Sequence, residues 1–333
     1  MKKYNLAILG ATGAVGREML KILEERNFPV GELRLLASKR SVGKEIEFAS
    51  KIYKVEEATK DSFAGIDIVL GAASNALAKE LAPYIKEAGA IFIDNSSAFR
   101  MCDDVPLVIP EINPEDALKH NGIISNPNCS TIITLTAIYA LNKISPIKSM
   151  IASTYQAVSG AGAAGPVELE QQCRDIMENK EISKEVFAHQ IAFNLIPEIG
   201  GASTEDYTSE EMKMQNEGRK IMHLPELLVS CTCVRVPVMR SHSISVVVKT
   251  EKPISVEQAK EAIAKANGCR LYDDLATHSY PMPLVTSDQD IVYVGRIRKD
   301  LTDKNGLNIW CCGDQVRKGA ATNAVQIAEL FVK

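Results

Sequence analysis

The sequence predicts an α/β protein of two domains: a doubly wound parallel sheet, then an α+β domain with a mainly antiparallel sheet. Three observations lead there. Apolar strand-like runs alternate with helical patterns through the N-terminal third. A glycine-rich turn separates the first run from the first helical pattern. From about residue 149 onward, strand-like runs dominate, with fewer helices between them. A length of 333 residues leaves room for two cores.

Residues 4–9 read as a buried strand leading into Gly10-Ala11-Thr12-Gly13-Ala14-Val15-Gly16. A helical pattern follows, with Val15, Met19, Ile22 and Leu23 on one face. Gly10 permits the tight turn, Gly13 lets a phosphate approach the backbone, and Gly16 allows helix and strand to pack closely. The pyrophosphate of a dinucleotide would rest on the helix N-terminus, so Thr12, Ala14 and Val15 belong to the same cradle. This is the Rossmann arrangement in a G-x-x-G-x-x-G variant.

The second strand, residues 31–37, ends in Ser38, Lys39, Arg40 and Ser41. A carboxylate there would hold the ribose hydroxyls of NAD; these donors suit a 2′-phosphate, and NADP is expected. The alternative is a solvated basic turn. Further strands are expected at 66–71, 91–95 and 105–109, with a helix over 75–88. Ala72, Ser74, Asn95 and Ser96 follow strand C-termini, the edge at which such sheets bind ligands.

Next comes Ser125-Asn126-Pro127-Asn128-Cys129-Ser130-Thr131, followed by an apolar helical pattern with Ile132, Leu135, Ile138 and Tyr139. Cys129 would sit at a helix N-terminus, whose N–H groups and dipole favour a thiolate. By itself the stretch equally fits a small buried apolar residue.

In the second half, a strand over 149–157 runs into a glycine-rich loop containing Ser159 and Gly160. A largely helical excursion is expected over 166–190, then strands at 229–236, 243–250, 291–298 and 307–312 and a helix at 255–266. A final helix over 318–332 would return to the first domain. The expected division is residues 1–127 completed by 315–333, and 128–314 as the catalytic, substrate-binding and dimerisation domain. His242 begins a strand after an Arg-rich bend containing Arg235, and its chemistry suits proton transfer. Glu210, Lys213 and Glu217 share one helix face, which alone reads as a solvated salt-bridge stripe. Arg100 follows a strand end and could hold an anion.

A formal charge of −4 offers no general polyanion-binding surface, so nucleic acid is not an expected partner. No segment has the length and apolarity of a membrane span, and no export or transit pattern opens the chain. The eight cysteines form no C-x-x-C pair and no metal-binding array, so reduced thiols and a cytoplasmic location are expected, with no metal.

GATGAVG, ASKRSVG, DNSSAFRM, NPNCST, QAVSGAG, EEMKMQNEGRKI, VRVPVMRSHS and KGAATNAVQIAEL occur in this order. Through them the chain resembles the aspartate-β-semialdehyde dehydrogenase family over essentially its full length. The resemblance implies NADP-dependent, phosphorylating oxidation of L-aspartate 4-semialdehyde. In biosynthesis the reaction runs in reverse, reducing L-4-aspartyl phosphate and releasing phosphate, towards lysine, threonine, methionine and diaminopimelate. By the same resemblance Cys129 is the acyl-accepting nucleophile, Gln156 orients substrate beside it, and His242 is the acid/base. Arg235 clamps the substrate carboxylate, and Glu210 receives its amino group. Arg100, Lys213 and Asn128 form the phosphate-binding set, and Asn323 lies near the nicotinamide site. A homodimer is implied, with a tetramer as the alternative. Two other readings share this outline: an N-acetyl-γ-glutamyl-phosphate reductase-like enzyme, and a non-catalytic NADPH-binding paralogue.

Overall fold

Apolar residues at consecutive positions make β1 (Tyr4–Leu9) a strand buried on both faces. Leu6 and Ile8 enter one core, and Ala7 and Leu9 the other. The computed structural model describes residues 2–332. After β1 come α1 (Ala14–Glu25), β2 (Val30–Ala37), β3 (Glu45–Phe48), β4 (Lys51–Glu57) and β5 (Ile68–Gly71). Then follow α2 (Asn75–Glu87), β6 (Ile91–Asp94) and β7 (Ile123–Ser125). The sheet order is β3-β4-β2-β1-β5-β6-β7, parallel at every neighbouring pair except β3–β4. Strand order reverses around β1, which opens a ligand crevice at its C-terminal end.

The expected strand at 105–109 is not one. Leu107 makes only an isolated bridge to Ser125. Pro106 lies within the run and Pro110 follows it; neither supplies a backbone N–H, so a full ladder cannot form.

The second unit opens with α3 (Cys129–Asn142), β8 (Ile147–Gln156), α4 (Ala164–Met177), α5 (Ser209–Met222) and β9 (Leu228–Arg235). It continues with β10 (His242–Thr250), α6 (Val256–Lys265), β11 (Cys269–Leu271), α7 (Pro283–Thr286), β12 (Val292–Lys299) and β13 (Gly306–Gly313). Its sheet runs β11-β12-β13-β10-β8-β9. The three central pairs are antiparallel and the two edge pairs parallel, so the sheet is mixed. Helix α3 is apolar all round and accordingly buried through Ser130–Ile138.

The excursion at 166–190 is helical only to Met177. Beyond that, buried side chains of α4 take the backbone instead. Glu168 accepts from the N–H groups of Glu185, Val186 and Phe187, and Gln172 Oε1 from those of Ile191 and Ala192. The tail also differs from expectation: a π-turn, Arg317–Ala321, precedes α8 (Thr322–Glu329). The chain divides into Met1–Asn128 with Ala320–Lys333, and Cys129–Gly319. Residues 315–319 thus go with the second unit rather than the first. Gln315 and Arg317 explain this, being tied to Ser241 and to Asp290.

Candidate active site

In the first unit, Gly10 has φ 89°, and a Cβ there would lie 2.4 Å from the Ala72 carbonyl oxygen. Only glycine lets the turn pass over β5. Gly13 forms the N-cap of α1, and no side chain caps that helix end. This leaves Gly10, Thr12, Gly13, Ala14, Val15 and Gly16 as a backbone cradle matched to a pyrophosphate. Ser38, Lys39 and Arg40 are exposed just past the end of β2. Ser41 is buried, and its Oγ lies 3.4 Å from Thr12 Oγ1, joining the basic turn to the glycine turn. The donor set fits a dinucleotide with a 2′-phosphate.

Other first-unit candidates make hydrogen bonds within the unit. Ser74 caps α2 by accepting from Leu77 N–H. Ser96 donates through Oγ to Asp94, whose carboxyl burial pushes upward in pKa. Asn95 donates to Gly71 O at 2.7 Å and accepts from Asn126 at 2.8 Å. Asn323 lies at the start of α8. It is fully buried, with Nδ2 2.7 Å from Asn126 Oδ1 and 3.0 Å from Val108 O. The Asn95–Asn126–Asn323 amide chain therefore braces the segment just before Asn128. Arg100 and Asn128 are both buried, and Arg100 donates to Asn95 O at 2.8 Å.

The second unit gathers residues from four distant segments. Cys129 is the first residue of α3, half-buried, with Sγ 3.5 Å from His242 Nε2. His242 is fully buried at the start of β10, and its Nδ1 accepts from Ala157 N–H at 3.1 Å. With Nδ1 occupied as an acceptor, the neutral ring carries its proton on Nε2, facing the sulfur. Burial, reinforced by Arg235 and opposed by Glu210, pushes the ring pKa down to about 3. The imidazole is therefore a neutral N–H donor at physiological pH.

Arg235 ends β9 and donates from Nη1 to Ala157 O at 2.7 Å. Burial pushes its guanidinium pKa down, against the charges of Cys129 and Glu210. Gly160 lies over both groups: a Cβ there would come 2.8 Å from Arg235 Nη1 and 3.0 Å from His242 Cε1. Ser159 is tied to Gln315 Nε2.

Gln156, at the end of β8, donates from Nε2 to Glu210 Oε1 at 3.2 Å. Glu210 Oε2 accepts from Lys213 Nζ at 2.8 Å. The helix face is therefore not a solvated stripe, since Glu210 and Glu217 are both buried. A buried carboxylate held this way is suited to receive an ammonium group.

Three contributors were not anticipated. Thr154 donates to Gln156 Oε1 at 2.9 Å; its position two residues earlier on the same strand face was the only available signal. Gln315 accepts from Ser241 N–H at 2.8 Å and so holds the residue before His242 in its left-handed conformation, φ 76°. Gly319 approaches so closely that a Cβ would lie 2.9 Å from Cys129 Cβ. Neither Gln315 nor Gly319 carries a local sequence signal for these contacts. Among the described residues, no group of three or more His, Cys, Asp or Glu could hold a metal.

A nucleophile beside an imidazole, with a guanidinium and a carboxylate near it and a dinucleotide cradle earlier in the chain, agrees with what known proteins show. Residues 5–120 match the family model "Semialdehyde dehydrogenase, NAD binding domain", and residues 138–318 match "Semialdehyde dehydrogenase, dimerisation domain". The chain is 52% identical over 334 residues to aspartate-semialdehyde dehydrogenase of Aquifex aeolicus, covering 99% of this chain and 98% of that one. It is 51% identical over 328 residues to the enzyme of that name in Synechocystis sp., covering 98% and 97%. A crystal structure of aspartate semialdehyde dehydrogenase II from Vibrio cholerae, complexed with ASA, superposes with a TM-score of 0.97 at 43% identity, covering 100% of this chain and 99% of that one. With likeness running through both units and from end to end, the chain belongs to the aspartate-semialdehyde dehydrogenase family.

Proposed function

We propose that this chain reduces L-4-aspartyl phosphate to L-aspartate 4-semialdehyde and phosphate through a thioester on Cys129. The observation that carries the mechanism is the 3.5 Å approach of Cys129 Sγ to a His242 ring whose Nε2 proton is fixed by Ala157. The thiolate attacks the acyl carbonyl, and phosphate leaves as the thioester forms. The glycine turn from Gly10 to Gly16 would hold NADPH, and that cofactor would supply the hydride for reduction of the thioester. His242 presents Nε2–H to the oxyanion of the resulting thiohemiacetal, with backbone N–H groups after Cys129 adding to its stabilisation. Collapse of that oxyanion releases the aldehyde and restores the thiolate. The same Nε2, 3.5 Å from Sγ, is the atom placed for the acid/base role that the resemblance implies.

Arg235 clamps the α-carboxylate, Glu210 receives the ammonium, and Gln156 orients the acyl group. Arg100, Asn128 and Lys213 take the phosphate. Lys39 and Arg40 favour NADP over NAD, and Ser159 and Gly160 border the nicotinamide. Glu210 also argues against an acylated amine, as an N-acetyl-γ-glutamyl-phosphate reductase would require. We assign the protein to the cytoplasm as a homodimer. The matched dimerisation module supports the dimer. So do Ile151, Tyr155 and Leu228, exposed apolar residues on the open face of the six-stranded sheet.

The test is reduction of NADP by L-aspartate 4-semialdehyde, with and without phosphate. Turnover that requires phosphate and prefers NADP to NAD is expected. Cofactor binding without turnover, or faster turnover of N-acetyl-glutamate semialdehyde, would overturn the assignment.

A further inference from the structure

We infer that Thr154 is a positioning residue that holds the Gln156 amide, in the orientation Glu210 selects, beside the Cys129–His242 pair. Alternation along β8 puts Thr154 and Gln156 on the same covered face, and both are buried. The two ends of an amide have nearly the same shape and opposite hydrogen-bonding character, so something must choose between them. Glu210 chooses at one end: an ionised carboxylate only accepts, so Nε2 must face it, as the 3.2 Å contact has it. Oε1 then points at the Thr154 hydroxyl 2.9 Å away, which rotates to donate.

The choice matters because Gln156 Nε2 also lies 3.5 Å from His242 Nε2. Both atoms carry protons when Ala157 occupies Nδ1, so the amide accepts nothing from the ring. The His242 N–H therefore stays directed at Cys129. In the flipped amide, Oε1 would accept that N–H and draw it away from the sulfur and from any oxyanion formed there. Removing the Thr154 hydroxyl leaves Oε1 buried without its donor, and the amide loses the contact that holds it in register with Glu210 and His242.

This inference rests on the proposed reaction, so wild-type turnover is established first; its absence would sink that reaction rather than this role. Thr154→Val, Thr154→Ser, Gln156→Ala and the Thr154→Val/Gln156→Ala pair are then compared in the phosphate-dependent assay. Thr154→Val is expected to lower kcat roughly 10-fold with KM for NADP unchanged, and Thr154→Ser to restore it. On the Gln156→Ala background, Thr154→Val should cost nothing further. Wild-type kcat in Thr154→Val, or an equal loss when Gln156 is already absent, would overturn the role. Should Thr154→Val not fold, Thr154→Ala replaces it in the same cycle, with the same two overturning results.

Discussion

His242 has no exposed surface and lies beside Arg235, so protonating it places a second positive charge in a desolvated site. In the unfolded chain the imidazole takes up its proton near pH 6.5, and in the folded protein only near pH 3. Between these values the unfolded state binds the extra proton. Stability from this group is therefore complete above the window and declines as pH falls through it. From pH 7.5 to pH 5 that decline is about 2 kcal/mol. His242→Asn should lack this part of the decline, which urea midpoints at the two pH values measure; an unchanged decline would assign it to another group. Cys129, His242 and Arg235 stand out in the sequence as candidates by residue type, and their roles enter only through the family resemblance. Thr154 and Gln315 do not stand out, because their roles depend on which atom faces which partner.

Strands with buried apolar runs are legible at the level of whole elements, as β1, β8 and β10 show. The charged hairpin β3–β4 is not, since Glu45, Glu47, Lys51, Lys54, Glu56 and Glu57 intersperse its apolar residues, as the edge of a sheet tolerates and a core does not. The stretch after α4 misleads in the other direction. Its composition permits helix, but Glu168 and Gln172 collect its backbone N–H groups from a distance in sequence that no local pattern reveals. Glu168→Ala removes the acceptor of three N–H groups. Losing charge-assisted bonds of this kind raises local opening by roughly 1–3 kcal/mol. Tryptic cleavage at Lys184 should then quicken by roughly 10-fold or more while global unfolding changes less. Cleavage at the wild-type rate would show that Glu168 does not hold the segment.

At the scale of the whole molecule, the division into a cofactor unit and a catalytic unit is legible because the two halves differ in element order. The exact handover at the tail is not, since the π-turn Arg317–Ala321 continues a helical composition without helical geometry. The proposed dimer rests on the open sheet face. Ile151→Asp should shift sedimentation from dimer to monomer by burying a charge in that face; an unchanged dimer would move the interface elsewhere. The covalent route itself can be read from a single turnover. Enzyme and L-4-aspartyl phosphate are mixed at comparable concentrations without NADPH, quenched, and assayed for free phosphate and for the mass of the Cys129 peptide. A burst of one phosphate per site with an aspartyl adduct on Cys129 is expected, lost in Cys129→Ala although that variant still binds NADPH. Phosphate release without an adduct, or a burst that survives in Cys129→Ala, would show that the acyl group does not pass through this cysteine.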